Sequence, residues 1–159
     1  MPELKRSLDM TEVMTPDLAN FSGKVHGGAL LKLLDLVAFS CASRYSGEYA
    51  VTLSVDQVVF KEPIHVGEMV HFKATVNYVG RSSMEIGIRV EAEDIRRQKV
   101  RHTNSCYFTM VAVDDHGQST EVPRFEPKTE VDKRRWKAAK LRKELRRETE
   151  AKLAAISGH

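Results

Sequence analysis

The stretch LLKLLDLVAF, Leu30 to Phe39, constrains the fold more than any other part of the chain. Its apolar residues fall at nearly every position around a helix, which predicts a helix buried on all sides. The helix runs from about Gly28 to Arg44 and stops at the SGE turn. From Ala50 onward the apolar period changes from 3.6 to 2. In 51–60, Val51, Leu53, Val55 and Val59 lie on one side and Thr52, Ser54 and Asp56 on the other. VHFKATVNYV and SMEIGIRVEAED alternate in the same way, and VRHTNSCYFTMVAV supplies a last strand. KEPIHVGE, YVGRSS, DIRRQK and VDDHGQ provide the turns between them. One buried helix followed by a four-stranded antiparallel meander is an α+β layout, and a helix apolar all round needs a sheet curved about it.

The chain of 159 residues favours one domain with a sizeable core, and 30% charged against 42% hydrophobic residues predicts no bulk disorder. A short N-terminal lead and the turn-rich TPDLANFSGKVHGG precede the helix. Charge divides the chain: residues 126–159 carry 11 Lys/Arg and 6 Asp/Glu, so the net +3 belongs to the tail. A helix expected over roughly Glu130 to Ile156 has a narrow seam of Ala138, Leu141, Leu145, Thr149, Lys152 and Ile156 between Lys/Arg faces. Two parts follow: a domain over 1–125 and a basic helical extension over 126–159. Mixed charge on that extension favours a solvated or packing helix over a nucleic-acid or membrane surface.

MPELKRSLDM has no apolar core of a secretory leader, and no apolar run approaches a membrane span, so a cytoplasmic location with no membrane partner is expected. Cys41 and Cys106 lie in apolar periodic segments without CxxC spacing and read as reduced core residues, and no metal site is suggested.

Asp35 is the residue that the apolar helix does not explain. A buried aspartate without a partner is costly or takes up a proton, and the raised proton affinity that results suits a general base near neutral pH. A structural carboxylate bonded to backbone or to a neighbouring chain is the other reading. Gly28 stands seven residues earlier, two helical turns away to within about 20°, so both project to one face. Open N–H groups at a helix start, with no side chain at Gly27 or Gly28, suit an oxyanion or a polarised carbonyl. Asn20, in NFSG, is a turn former by default and alternatively orients a water. His26 is a capping or packing residue, or a substrate contact. No Ser-His-Asp order, GxSxG, Walker loop or GxGxxG is present, which leaves carboxylate-and-water hydrolysis as the enzymatic chemistry this chain suits.

Four motifs in order carry a resemblance: N-x-x-G-x-V-H-G-G-x-L-L-K-L-x-D (Asn20 to Asp35), VT-x-SVD-x-V-x-F (Val51 to Phe60), P-I-x-V-G (Pro63 to Gly67) and GRSSMEI (Gly80 to Ile86). Across about residues 8 to 125 the chain resembles the hotdog-fold acyl-CoA thioesterases, the group of the bacterial YciA-type enzymes and the cytosolic acyl-CoA hydrolases of animals. The resemblance implies a sheet wrapped around the central helix, dimers with a continuous sheet, and further assembly into trimers of dimers. It implies hydrolysis of acyl-CoA to a fatty acid and free CoA, with CoA part of substrate and product and no cofactor. Asp35 is then the base that activates water, or a nucleophile forming an anhydride. Asn20 of the partner chain holds the water or the thioester carbonyl, and the amides near Gly27 and Gly28 stabilise the oxyanion. Thr52 is a supporting residue, and the turn of Gly80, Arg81, Ser82 and Ser83 contacts CoA, its guanidinium and hydroxyls suited to phosphate. Without the resemblance that turn reads as a hairpin with a solvated arginine.

Two other functions share the fold: a hotdog dehydratase, which the HGG context around His26 fits less well, and a CoA- or nucleotide-binding regulatory module without turnover, against which the presence of both Asn20 and Asp35 argues. Leu34, Val37, Ala38 and Val58 are the candidates that set the depth of an acyl tunnel.

Overall fold

His26 and Gly47 bracket the central helix. The computed structural model describes residues 3–158. In it α1 spans Gly27–Ser46, with the His26 side chain as its N-cap and Gly47, at φ 75°, closing it through an N–H to the Ser43 carbonyl. Left-handed backbone at that position is what glycine permits without steric cost. The buried residues of α1 are Leu30, Leu34, Val37, Ala38, Cys41, Ala42 and Tyr45, one stripe at three- and four-residue spacing. Lys32, Asp35 and Leu36 are exposed. The expectation of a helix covered on every side is therefore corrected for the single chain: its own sheet covers one face and leaves the face that carries Asp35 open.

The strands are β1 (Ser7–Val13), β2 (Tyr49–Val55), β3 (Met69–Val79), β4 (Ser83–Asp94) and β5 (Lys99–Val113), and a second helix, α2, spans Glu130–Ser157. They form one antiparallel sheet in the order β1-β3-β4-β5-β2. The α1-facing positions are filled by Val70, Phe72, Ala74 and Val76 of β3, Met84, Ile86, Ile88 and Val90 of β4, and Cys106, Phe108, Met110 and Ala112 of β5, all buried. Register shifts in the β2–β5, β3–β4 and β4–β5 ladders bend the sheet around the helix. The α+β layout expected from the periodicity is present, in the hotdog arrangement that the resemblance implies. The strand count is five rather than four, because SLDMTEV, read as lead, is an edge strand paired along β3. Only Leu8 and Met10 of β1 are even half-buried, so its alternation was faint. β2 also ends sooner than expected, at Val55 rather than Phe60.

β2 forms the other edge, and the apolar side anticipated for it is not buried. Tyr49, Val51, Leu53 and Val55 are 74%, 51%, 68% and 41% exposed. The strand YAVTLSV contains no charge and no proline, the usual protections of a free edge.

Contacts cluster in two compact units that divide between Pro123 and Arg124. In the second, Phe125 meets Trp136 edge-on at 5.2 Å, and Thr129 caps α2 by accepting from the Asp132 N–H. Leu141, Leu145 and Ile156 of its seam are exposed. No helix among the described residues is long and apolar enough to cross a membrane.

Two polar arrangements hold the first unit in shape. At the β3 bulge the buried Asn77 donates to Glu85 at 3.0 Å, and its amide lies against Gly87, where an added Cβ would stand 2.4 Å from Nδ2. Near the start of β3, buried Glu68 receives both Nη groups of Arg101, at 2.5 and 2.8 Å, and the His65 N–H at 2.8 Å, while Arg101 also donates to the Pro63 carbonyl at 2.6 Å. That pair pins the 62–68 segment to β5.

Gly87→Ala is expected to displace Asn77 from Glu85 and lower stability by about 1–3 kcal/mol in urea unfolding. The Arg101 guanidinium, then the His65 N–H, holds the Glu68 carboxyl below the usual carboxylate range. A depressed folded-state pKa gives stability that is present above the unfolded value, near 4.3, and lost as pH falls through the lower folded one. Arg101→Met is thus expected to cost about 2 kcal/mol at pH 7, discounted because Arg101 is 35% exposed, with the gap from wild type narrowing below about pH 4.

Candidate active site

The sequence-predicted residues gather into two groups rather than one. Asp35, on the open face of α1, accepts a hydrogen bond from Thr52 Oγ1 at 2.5 Å through Oδ1. Both residues are exposed, so the premise of a buried carboxylate does not hold within one chain. Thr52 pairs with Met110 of β5, which pairs on its other side with Met84. One step along, Val111 pairs with both Val51 and Ser83. The Arg81–Ser83 turn therefore lies at the same end of the sheet as Thr52, about two strand spacings away. The turn is fastened by its backbone: Gly80 N–H to the Ser83 carbonyl, Ala112 N–H to that of Ser82, and Val122 N–H to that of Arg81. Its arginine is exposed.

Asn20, His26, Gly27 and Gly28 form the second group. Asn20 Oδ1 accepts three hydrogen bonds from its own turn, from Ser22 N–H at 2.9 Å, Ser22 Oγ at 2.8 Å and Lys24 N–H at 3.2 Å. The acceptor end of this amide is thereby occupied, and its Nδ2 has no acceptor among the described residues. The turn-forming reading of Asn20 holds at its oxygen end, which leaves Nδ2 as the end open to a ligand. Gly28 departs from expectation: its N–H donates to His26 Nδ1 at 3.0 Å, so that amide is spent on the cap. A nitrogen that accepts carries no proton, which puts the proton of the neutral ring on Nε2. Gly27, the first residue of the helix, has no acceptor for its N–H among the described residues, as the geometry of a helix start requires. Its α-carbon faces the Phe60 ring, 3.6 Å from where a Cβ would stand.

Asn20, Gly27 and Asn104 border a cavity of about 330 Å3, with Val25, Leu30, Phe60 and Ile64 as its main apolar walls. Asp35 and Thr52 do not border it. Eight residues of helix separate Gly27 from Asp35, about 12 Å along the axis. Gly28 and Asp35 both lie on α1, but acting together requires a donor about 3 Å from the carbonyl oxygen and a base about 3 Å from the water that attacks the same carbonyl. Within a single chain these candidate residues form two separate groups. Asn104 was missed in the sequence, although its place in phase with Cys106, Phe108 and Met110 marked it as a polar residue on an apolar face.

Cys41 and Cys106 are both buried, and burial pushes each thiol up to about 12, which makes them inert core residues.

Replacing the cap tests this local geometry directly. His26→Ala is expected to destabilise by about 1 kcal/mol in thermal or urea unfolding, and His26→Asn, which retains a capping acceptor, to recover most of the loss.

Residues 22–99 match the model of the thioesterase superfamily. Protein VdlD of Helicobacter pylori is 52% identical over 142 residues, covering 89% of this chain and 81% of VdlD. The human cytosolic acyl coenzyme A thioester hydrolase is 33% identical over 135 residues, 84% of this chain but only 36% of that longer protein. Among solved structures, an apo-hexameric acyl-CoA thioesterase superposes with TM-score 0.88 at 33% identity, covering 92% of this chain and 94% of that one. The acyl-CoA hydrolase of Staphylococcus aureus, solved with butyryl coenzyme A and coenzyme A, gives 0.81 at 29% identity, with 96% of both chains covered. That enzyme has also been solved with an aspartate, an asparagine or a threonine replaced by alanine. The chain belongs to the thioesterase superfamily and, within it, to the hotdog-fold acyl-CoA hydrolases.

Proposed function

We propose that the active site of this acyl-CoA hydrolase is assembled from two chains, with Asp35 and Thr52 of one facing Asn20 and Gly27 of the other. The observation that carries this reading is the separation of the half-sites along α1. It is supported by the bare edge of β2: pairing two copies there in antiparallel fashion satisfies the free backbone groups and covers Leu53 and its neighbours. A two-fold axis at that edge runs the two α1 helices in opposite directions, so the start of one approaches the middle of the other. Trimers of such dimers are the fuller assembly, in line with the hexameric relative. The asparagine, aspartate and threonine replaced in the S. aureus enzyme are spaced fifteen and seventeen positions apart, the spacing of Asn20, Asp35 and Thr52.

The chemistry divides between the halves. Asn20 Nδ2 and the Gly27 N–H are donors and polarise the thioester carbonyl. Asp35 is an acceptor: Thr52 orients one oxygen, and the other takes a proton from water as hydroxide adds to the carbonyl carbon. The tetrahedral oxyanion rests on the two donors, then collapses with loss of the CoA thiolate, which takes the proton back from Asp35. Free acid and CoA leave, and no cofactor is consumed. Because its acceptor oxygen is already occupied, Asn20 serves the carbonyl rather than the water. The exposed Arg81 with Ser82 and Ser83 meets the phosphates of CoA, and the Gly80 turn shapes their approach. His26 acts on substrate only through the cap it provides. Cytoplasm, where acyl-CoA is consumed by the human cytosolic relative, is the compartment this reading favours.

Asp35→Asn and Asn20→Ala are each expected to lower thiol release from acyl-CoA by about 100-fold or more while the assembly persists. Unfolded together in equal amounts and refolded, the two variants are expected to recover about one quarter of wild-type activity, since half of the dimers then contain one intact site. Recovery of nothing, from a mixture shown to contain mixed dimers, would place the whole site within one chain.

A further inference from the structure

A polar side chain at a core-facing position of a central strand needs a reason. Along β5 the α1-facing residues run Ala112, Met110, Phe108, Cys106 and then Asn104, which pairs with Val90 and is 8% exposed. Beyond Val90 the β4–β5 register shifts, leaving Thr103 without a residue opposite. Thr103 is buried beside Asn104, and its Oγ1 lies 3.2 Å from Asn104 Oδ1 and 3.3 Å from the Val90 carbonyl. The hydroxyl's single proton is shared between these two oxygens. The nitrogen end, Nδ2, is buried and has no acceptor among the described residues.

A buried N–H without an acceptor is unfavourable, and most such groups in proteins have a partner. Here the side chain borders the cavity that also holds Asn20 and Gly27, the donors assigned above to the thioester carbonyl. Of the other side chains that line it, Val25, Leu30, Phe60, Pro63 and Ile64 offer only carbon, Lys24 and Lys61 are donors, and the one carboxylate, Glu62, is exposed to solvent. The terminal torsion of an asparagine is broad, so a small turn brings Nδ2 to the cavity without moving the strand.

We propose that Asn104 is a further substrate-binding residue, whose Nδ2–H donates to a carbonyl oxygen of the bound acyl-CoA, either that of the thioester or that of the adjacent pantetheine amide. The inference rests on the acyl-CoA reading above. An alkyl chain cannot satisfy the donor, so Asn104 fixes the position of the substrate's polar portion and leaves chain length to other walls. The free enzyme keeps a donor that weakens its core, and substrate completes it.

Asn104→Leu, nearly equal in size and without polar atoms, separates the roles. In the full-length protein it is expected to raise the thermal midpoint by about 2–4 °C, because an unsatisfied group is removed, while lowering kcat/KM for butyryl-CoA by about tenfold or more. Two unreactive probes locate the oxygen: butyl-CoA, a thioether without the thioester carbonyl, and 2-oxopentyl-CoA, a ketone whose carbonyl stands one methylene beyond the sulfur. If the thioester oxygen is the acceptor, Asn104→Leu weakens ketone binding by about tenfold and leaves thioether binding unchanged, so the preference for the ketone narrows to the part that Asn20 and Gly27 supply. If the pantetheine oxygen is, the variant binds both probes more weakly by a similar factor. A folded variant with both affinities and turnover within about twofold of wild type overturns the proposal. Should Asn104→Leu fail to assemble, a crystal structure of wild type with the ketone decides: Nδ2 within about 3.2 Å of a substrate carbonyl oxygen supports the proposal, and no such contact overturns it. Wild type that releases no thiol and binds neither probe would instead remove the hydrolase reading on which it stands.

Discussion

The rise of an α-helix governs this molecule's chemistry. At about 1.5 Å per residue, Gly27 and Asp35 are separated by more than the reach of any single reacting carbon, although they lie on neighbouring faces of the same rod. Lengthening a side chain does not close that gap, because Gly27 acts through its backbone and Asp35 is short. A second helix running the other way does close it. The fold leaves room for one: the apolar stripe of α1 is consumed by the sheet, and the face that carries Asp35 and Leu36 adjoins the uncharged edge of β2.

That edge is also where the energetic argument for assembly lies. Exposed Tyr49, Val51, Leu53 and Val55, with Leu36 at 47% and Phe60 at 47%, make an apolar surface that a chain living alone would be expected to break with charge. Under the two-chain proposal, covering it and creating the site are one event. The opposite edge shows the contrast: β1 carries Asp9, Thr11 and Glu12, and Thr11 is hydrogen-bonded to His71 of β3 at 2.9 Å, so it presents a polar border.

Much of this was legible in the sequence, and the failures have physical causes. Alternation identified β3, β4 and β5 because both of their neighbours in the sheet are present and one face of each meets α1. It misjudged β2, whose alternation points to Val51, Leu53 and Val55 as the covered side; in one chain that side is bare, and Ala50 on the other is the buried residue. It passed over β1 because an edge strand with polar residues has too little buried surface to leave a clear period. Gly28 was given to an oxyanion because position on a helix face is visible in spacing, whereas the occupation of its amide by His26 depends on the rotamer of the ring. Asn104 was legible in principle. Its phase with Cys106, Phe108 and Met110 places it on the apolar face, and only a buried carboxamide breaks that series.

The division of labour between the half-sites has a consequence for control of the reaction. The groups proposed to meet the thioester from the Asn20 side are donors: Asn20 has its acceptor oxygen tied by Ser22 and Lys24, the Gly28 amide is taken by His26, and Asn20 Nδ2, the Gly27 N–H and Asn104 Nδ2 remain, while the one carboxylate beside them, Glu62, is exposed to solvent. The Asp35 side contributes the acceptor. A donor set without a base can bind a carbonyl but cannot draw a proton from water. A carboxylate without the donor set faces a thioester with no stabilisation for the oxyanion. In the two-chain site proposed above, each half is therefore chemically mute by itself, and that arrangement couples hydrolysis of the thioester to subunit association through complementary hydrogen-bonding roles, without any moving part.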